Sequence, residues 1–188
     1  SELAATKTII ESFKKAINAL TVRDKGDAEI RDYIKLRNTR PFMVTEQESL
    51  PAKKSVFNRI IGDSHFELEF AAFLEQCKDV VAYAKNYLAV NFKLDYVNRD
   101  GNISHYYPDF IVKLPKNRIV IVETKGNADL DTPLKMERLR QWCEDVNKAQ
   151  NEVRYECLYV EQEEFEKYGA KDFGELTKIF QCYKTNEQ

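Results

Sequence analysis

Tyr107-Pro-Asp-Phe-Ile-Val-Lys-Leu-Pro-Lys-Asn-Arg-Ile-Val-Ile-Val-Glu-Thr-Lys-Gly126 holds two short β-branched runs, Phe110-Ile-Val112 and Ile119-Val-Ile-Val122, parted by Leu114-Pro115-Lys116-Asn117. Apolar runs of this length around a Pro-Lys-Asn turn predict a hairpin of two buried strands. Glu123 and Lys125 stand two residues apart and share one face of a strand. An antiparallel hairpin sets the start of its first strand beside the end of its second, so Asp109 is expected near both. Two carboxylates and an ammonium then meet at one end of an apolar sheet. Crowded carboxylates repel, and each is costly to bury unpaired. A hard divalent cation such as Mg²⁺ resolves that cost, because it takes oxygen ligands and keeps several waters. The lysine beside it is placed to orient one of those waters. Glu-x-Lys and Tyr-Pro-Asp are each common alone, and a surface Glu–Lys pair beside a Pro-Asp turn gives the same residues without chemistry.

The chain has 188 residues, enough for one domain or a domain with an appended piece. It opens on Ser, as expected of a processed chain or an excised domain. No apolar run has the length of a membrane span, no signal peptide is visible, and a cytoplasmic protein with no membrane partner is expected. No Gly-x-x-x-x-Gly-Lys-Ser/Thr stretch occurs, which excludes a P-loop motor from these residues. The formal net charge of −2 offers no global field for a polyanion. The charge is uneven, with 12 Lys and Arg against 8 Asp and Glu in residues 1–60, and 17 against 23 beyond. Any nucleic-acid surface is therefore local, and the amino-terminal part is its better candidate, with ordinary solvated surface as the alternative. Cys77, Cys143, Cys157 and Cys182 form no C-x-x-C pair and read as reduced core thiols rather than a zinc cluster.

Residues 1–60 read as a mostly helical lead-in or arm, and residues 61–188 as the main domain. Leu3–Leu20 carries a helical apolar stripe, and Asp27–Leu36 continues it after the Asp24-Lys25-Gly26 break. Glu46–Ile61 is expected to end in helix, with Val56, Phe57, Ile60 and Ile61 on one face. Ser64 and Glu67 fit a capping box opening a helix through Phe66, Phe70, Phe73 and Leu74. Capping alone accounts for Glu67. Strands follow at Val80–Tyr87 and Ala89–Val97, with a turn at Asn98-Arg-Asp-Gly101. After the central hairpin come a helix over Asp129–Gln150, facing inward with Leu134, Leu139, Trp142, Cys143 and Val146, a strand over Val153–Val160, and helices over Glu161–Tyr168 and Asp172–Tyr183.

That order, with Pro108-Asp109, thirteen intervening residues and then Glu123-Thr-Lys125, resembles the PD-(D/E)-x-K nuclease superfamily. Asp63-Ser-His-Phe-Glu-Leu-Glu-Phe-Ala71, Tyr107-Pro-Asp-Phe110 and Val122-Glu-Thr-Lys-Gly126 are similar to the carboxy-terminal endonuclease domain of type III restriction enzyme Res subunits. Lys85 before the second strand and Trp142 in the following helix fit too. The resemblance covers about residues 63–160. It implies an α/β restriction-endonuclease-like core: a helix, a three-stranded meander, a helix and a strand in a mixed sheet flanked by helices. It implies Asp109 and Glu123 as metal ligands, Lys125 as the water-orienting group, and Glu67 as an auxiliary acid reaching the metal directly or through water. The implied activity is DNA phosphodiester hydrolysis with Mg²⁺, for which Mn²⁺ substitutes. The implied partners are DNA, a helicase/ATPase motor in a parent chain, and a modification subunit that chooses the target. Lys53, Lys54, Arg59 and Lys85 are the expected phosphate contacts. A non-cutting DNA-binding or assembly module, or a repair or transposon-end nuclease, would share this core. His65 and His105 have no partner at nuclease spacing, and Tyr106 and Tyr107 are expected to pack the sheet.

Overall fold

A computed structural model describes residues 2–22, 28–44 and 47–180, with the side chains of 2–3 and 19–22 left aside. Its centre is a four-stranded mixed sheet. Strand β6 (Phe110–Leu114) and strand β7 (Arg118–Lys125) form the expected antiparallel hairpin, with Phe110 opposite Val122 and Leu114 opposite Arg118. The turn takes positive φ at Lys116 and Asn117. Strand β3 (Ala82–Lys85) flanks β6 antiparallel, and β8 (Arg154–Glu161) flanks β7 in parallel, setting Glu123 beside Tyr159. The parallel pair requires a crossover, supplied by helix α3 (Thr132–Ala149).

The meander differs from the expected one. β3 pairs with β6, and a separate hairpin lies between them in sequence: β4 (Leu94–Val97) and β5 (Ile103–Tyr106), joined by the Asn98–Gly101 turn. Gly101 takes φ +77, and its N–H donates to the Asn98 carbonyl at 2.9 Å. Buried Asn86 holds the connection together. Its side-chain amide donates to Phe92 O and Pro108 O at 2.7 and 2.8 Å and accepts from Phe92 N.

Helix α2 (His65–Gln76) covers one face of the sheet. Phe66, Phe70, Ala71 and Leu74 enter a core with Phe110, Val112, Val120, Val122, Leu158, Phe173 and Leu176. Helix α3 covers the other face through Met136, Leu139 and Cys143, against Tyr106, Ile121 and Tyr159. Leu134, expected inside, is 38% exposed. Trp142 packs edge-on to Phe92 and Tyr155. Short helices α4 (Gln162–Tyr168) and α5 (Phe173–Ile179) complete the described carboxy-terminal part.

The amino-terminal part departs most from expectation. Helix α1 (Glu2–Val22) forms, but Ile9, Ile10 and Phe13 face outward, between 61% and 68% exposed. No helix forms over 28–35, and only a 3-10 turn follows at Leu36–Asn38. Residues 49–61 form a hairpin of β1 (Ser49–Pro51) and β2 (Arg59–Ile61) instead of a helix. Ile60 is fully buried in the main core, and Ser55 bridges Tyr83, so the compact unit begins before residue 61. Among the described residues no helix is long and apolar enough to cross a membrane. Cys77 and Cys143 are free and buried, as expected, whereas Cys157 is disulfide-bonded, which corrects its reading as a reduced thiol. Cys182 lies outside the described residues.

Candidate active site

The acidic residues meet where β6 begins and β7 ends. Asp109 lies just before β6, tied by its N–H to Val122 O at 3.1 Å. Its Oδ2 accepts from both the backbone N–H and the hydroxyl of Thr124 at 2.8 Å, fixing the carboxylate against β7. Its Oδ1 faces the Lys85 ammonium at 3.4 Å.

Glu123 points to the α3 side of the same sheet and is 8% exposed. Its Oε2 accepts from the Tyr106 hydroxyl at 2.9 Å. Burial and then the charge of Asp109 push its carboxyl up to about 8, against the smaller pulls of the Tyr106 hydrogen bond, Lys125 and Lys135. Burial, and then Glu123, also hold the Tyr106 hydroxyl in its protonated form, well above the ordinary phenol value.

Glu67 serves the cap and the site together. Its N–H donates to the Ser64 hydroxyl at 3.2 Å, and its Oε2 accepts from Asp63 N at 2.8 Å. The same oxygen lies 2.9 Å from Lys85 Nζ. Gly62 permits this close turn into α2, because a Cβ there would lie 2.5 Å from the Ser64 carbonyl oxygen. Burial raises the Glu67 carboxyl, with a further push from Asp109, despite the opposing pull of Lys85.

Lys85 is the residue whose place the sequence did not disclose. It is 2% exposed, with its ammonium within 3.4 Å of Asp63, Glu67 and Asp109 and 5.4 Å from the Phe110 ring centre. Burial alone would lower its pKa, but Asp109, Glu67 and Asp63 outweigh burial and raise it, so the ammonium stays charged. Its ammonium is thus engaged by three carboxylates, one of them on the 88% exposed Asp63 side chain, rather than free for a phosphate. Lys54 is likewise spent, its ammonium bonding the Leu74 and Cys77 carbonyls at the end of α2. Lys53 and Arg59 stay exposed, with the Arg59 guanidinium on the Ser49 hydroxyl.

Lys125 lies near enough to Glu123 to lower its pKa, and its ammonium pairs with Asp129 at 3.4 Å. Lys135 holds the same Asp129 at 2.9 Å. His105 pairs with Asp95 and His65 with Glu69, both outside the cluster. Tyr106, expected to pack the sheet, does so while bonding Glu123.

Among the described residues no group of three or more His, Cys, Asp or Glu side chains is set to hold a metal ion. Asp109 and Glu123 nevertheless fit a hard divalent cation. They are oxygen donors, and burial together with the charge of Asp109 disfavours ionised Glu123 more than Lys125 and Lys135 favour it, an imbalance that a bound cation would relieve. Mg²⁺ sites use one or two carboxylates with waters and substrate phosphate. Glu67 is committed to Lys85 and Asp63, which leaves it beside the pair rather than in a common ligand set.

Glu123 also makes stability pH-dependent in the metal-free chain. The folded state keeps this proton up to about 8, while the unfolded state releases it near 4.5. The contribution is complete below the lower value and is lost as pH rises to the higher one. Glu67, also raised, acts in the same direction. In chelator, the urea midpoint is expected to fall across that window, and Glu123→Gln to flatten most of the slope; an equal slope in both proteins would contradict the assignment.

A mixed sheet with acids where β6 meets β7, flanked by α2 and α3, defines a restriction-endonuclease-like fold. A family model described as an endonuclease domain matches residues 53–163, more than half of the chain, and the chain belongs to that family. No curated protein and no solved structure gives a match.

Proposed function

We propose that the chain is a divalent-metal-dependent endodeoxyribonuclease domain, the cleavage module of a type III restriction enzyme Res subunit. The observation that carries this reading is the Asp109–Glu123 pair, with Glu123 pushed to about 8 by burial beside a second carboxylate. Asp109 and Glu123 are the residues that would hold Mg²⁺, or Mn²⁺ in its place. Such an ion, when bound, neutralises charge on the scissile phosphate and acidifies a water.

The chain's own residues hold and orient. Thr124 fixes Asp109 through two hydrogen bonds, and Tyr106 fixes Glu123 through one. Lys85 offsets the charges of Asp109 and Glu67, letting both acids sit inside the fold. Lys125, at the partly exposed end of β7, donates hydrogen bonds that position the attacking water. Lys53 and Arg59 contact DNA phosphates. A motor in the parent chain delivers the DNA, and a modification subunit selects the target.

Nicking of supercoiled plasmid by the purified chain tests this reading. Cutting is expected with Mg²⁺ or Mn²⁺, and is expected to vanish with chelator and in Asp109→Ala and Lys125→Ala. Cutting that survives both substitutions would place the activity elsewhere.

A further inference from the structure

A cavity of about 630 Å³ lies outside the carboxylate site, between the 36–44 segment and the β1–β2 hairpin. That volume falls in the range of small-molecule clefts. Arg37, Arg40 and Arg59 line it, and none of its described lining residues is acidic. Arg37 and Arg40 have no ion pair among the described residues, and Arg59 bonds only the neutral Ser49 hydroxyl. Three cations in one concavity, with no acid among its described lining residues, repel one another, and an anion relieves them.

The walls specify more than an anion. Phe42 and Phe57 line the cavity, and Phe42 remains 42% exposed. Both rings pack edge-on against Tyr87, at 5.2 and 5.1 Å, and against each other at 6.0 Å, so the aromatic wall is held in place. The Tyr87 hydroxyl is bound to the backbone of Ile61, at N and at O. Tyr87, behind that wall, lies close enough to Lys85, Asp63 and Glu67 to feel their charges.

We propose that this cavity binds a nucleotide, with its phosphate on the arginines and its base against Phe42. A guanidinium fork matches a phosphate's oxygens, and an aromatic face accepts any base by stacking. Asn58 adds a neutral amide for a base edge. As a hold on the DNA strand to be cut, the pocket rests on the proposed function. Its binding does not, because the pocket shares no side chain with the Asp109–Glu123 pair.

Fluorescence anisotropy of a labelled single-stranded oligodeoxynucleotide, in chelator, tests the proposal, with dAMP and inorganic phosphate as competitors. Arg37→Gln with Arg40→Gln is expected to weaken binding by about tenfold or more. Phe42→Ala is expected to weaken oligonucleotide and dAMP about tenfold while leaving phosphate unchanged. Competition by dAMP shows that a free nucleotide suffices; its failure, with oligonucleotide bound, assigns the pocket to a unit of a strand. All three side chains are exposed, so unchanged thermal midpoints are expected to exclude misfolding. Oligonucleotide affinity equal to wild type in both variants, or a Phe42→Ala effect identical for phosphate and nucleotide, would overturn the proposal. These shifts without plasmid cutting would defeat the nuclease reading alone, and cutting without these shifts would defeat the pocket alone.

Discussion

Replacement of Lys85 by methionine is expected to destabilise the fold by about 3–5 kcal/mol, the cost of stranding buried charges without their partner. Glu67 is 7% exposed, and its carboxylate lies 2.9 Å from the ammonium that would be lost. Asp109 would keep its Thr124 hydrogen bonds but lose its nearby cation. Equilibrium urea unfolding at neutral pH measures the effect. The deficit is expected to shrink as pH falls and Glu67, whose carboxyl is already raised by burial, takes up a proton. Adding Glu67→Gln to the methionine variant is expected to restore part of the loss, because the stranded charge is then gone. Additive losses in the double variant would show that Lys85 and Glu67 are not coupled.

Glu123→Gln is expected to move activity and stability in opposite directions. The amide keeps the shape of the side chain and cannot ionise. Plasmid cleavage is expected to fall by about 10²–10³-fold or more, as when one preorganised electrostatic group is removed from an active site. The metal-free protein is expected to gain stability above pH 8, where wild type carries a buried negative charge beside Asp109. Stability is given up where function needs an awkward charge. Initial nicking rates and urea midpoints, taken on the same preparations, read both effects. A variant as active as wild type would remove Glu123 from the chemistry.

The central hairpin was legible because its two β-branched runs are apolar, uninterrupted and separated by a turn. The convergence of Asp109 and Glu123 followed from antiparallel register alone. Strand β5 was not legible: Ile103 and His105 face outward and only Tyr106 is buried, so no apolar alternation marks it. The segment 49–61 misled for the opposite reason. Val56, Phe57, Ile60 and Ile61 have helical spacing, yet Val56 is 44% exposed while Ile60 fills the core. Lys85 was hidden because its burial depends on Asp63, Glu67 and Asp109, acids from two distant stretches that only the tertiary fold assembles. The pairing of Tyr106 with Glu123 had the same origin. A tyrosine two residues before Pro108 carries no mark of a partner on β7.

The central claim is that Asp109 and Glu123 together receive a divalent cation. Calorimetric titration of Mn²⁺ into the chain at pH 7, repeated in buffers of different ionisation enthalpy, tests it most directly. Glu123 is mostly protonated at that pH, and a ligand must be deprotonated to bind metal. One saturable Mn²⁺ site is expected, with release of close to one proton in wild type, and binding is expected to be lost in Asp109→Ala. Binding of equal strength in Asp109→Ala, or binding with no proton released, would contradict the account.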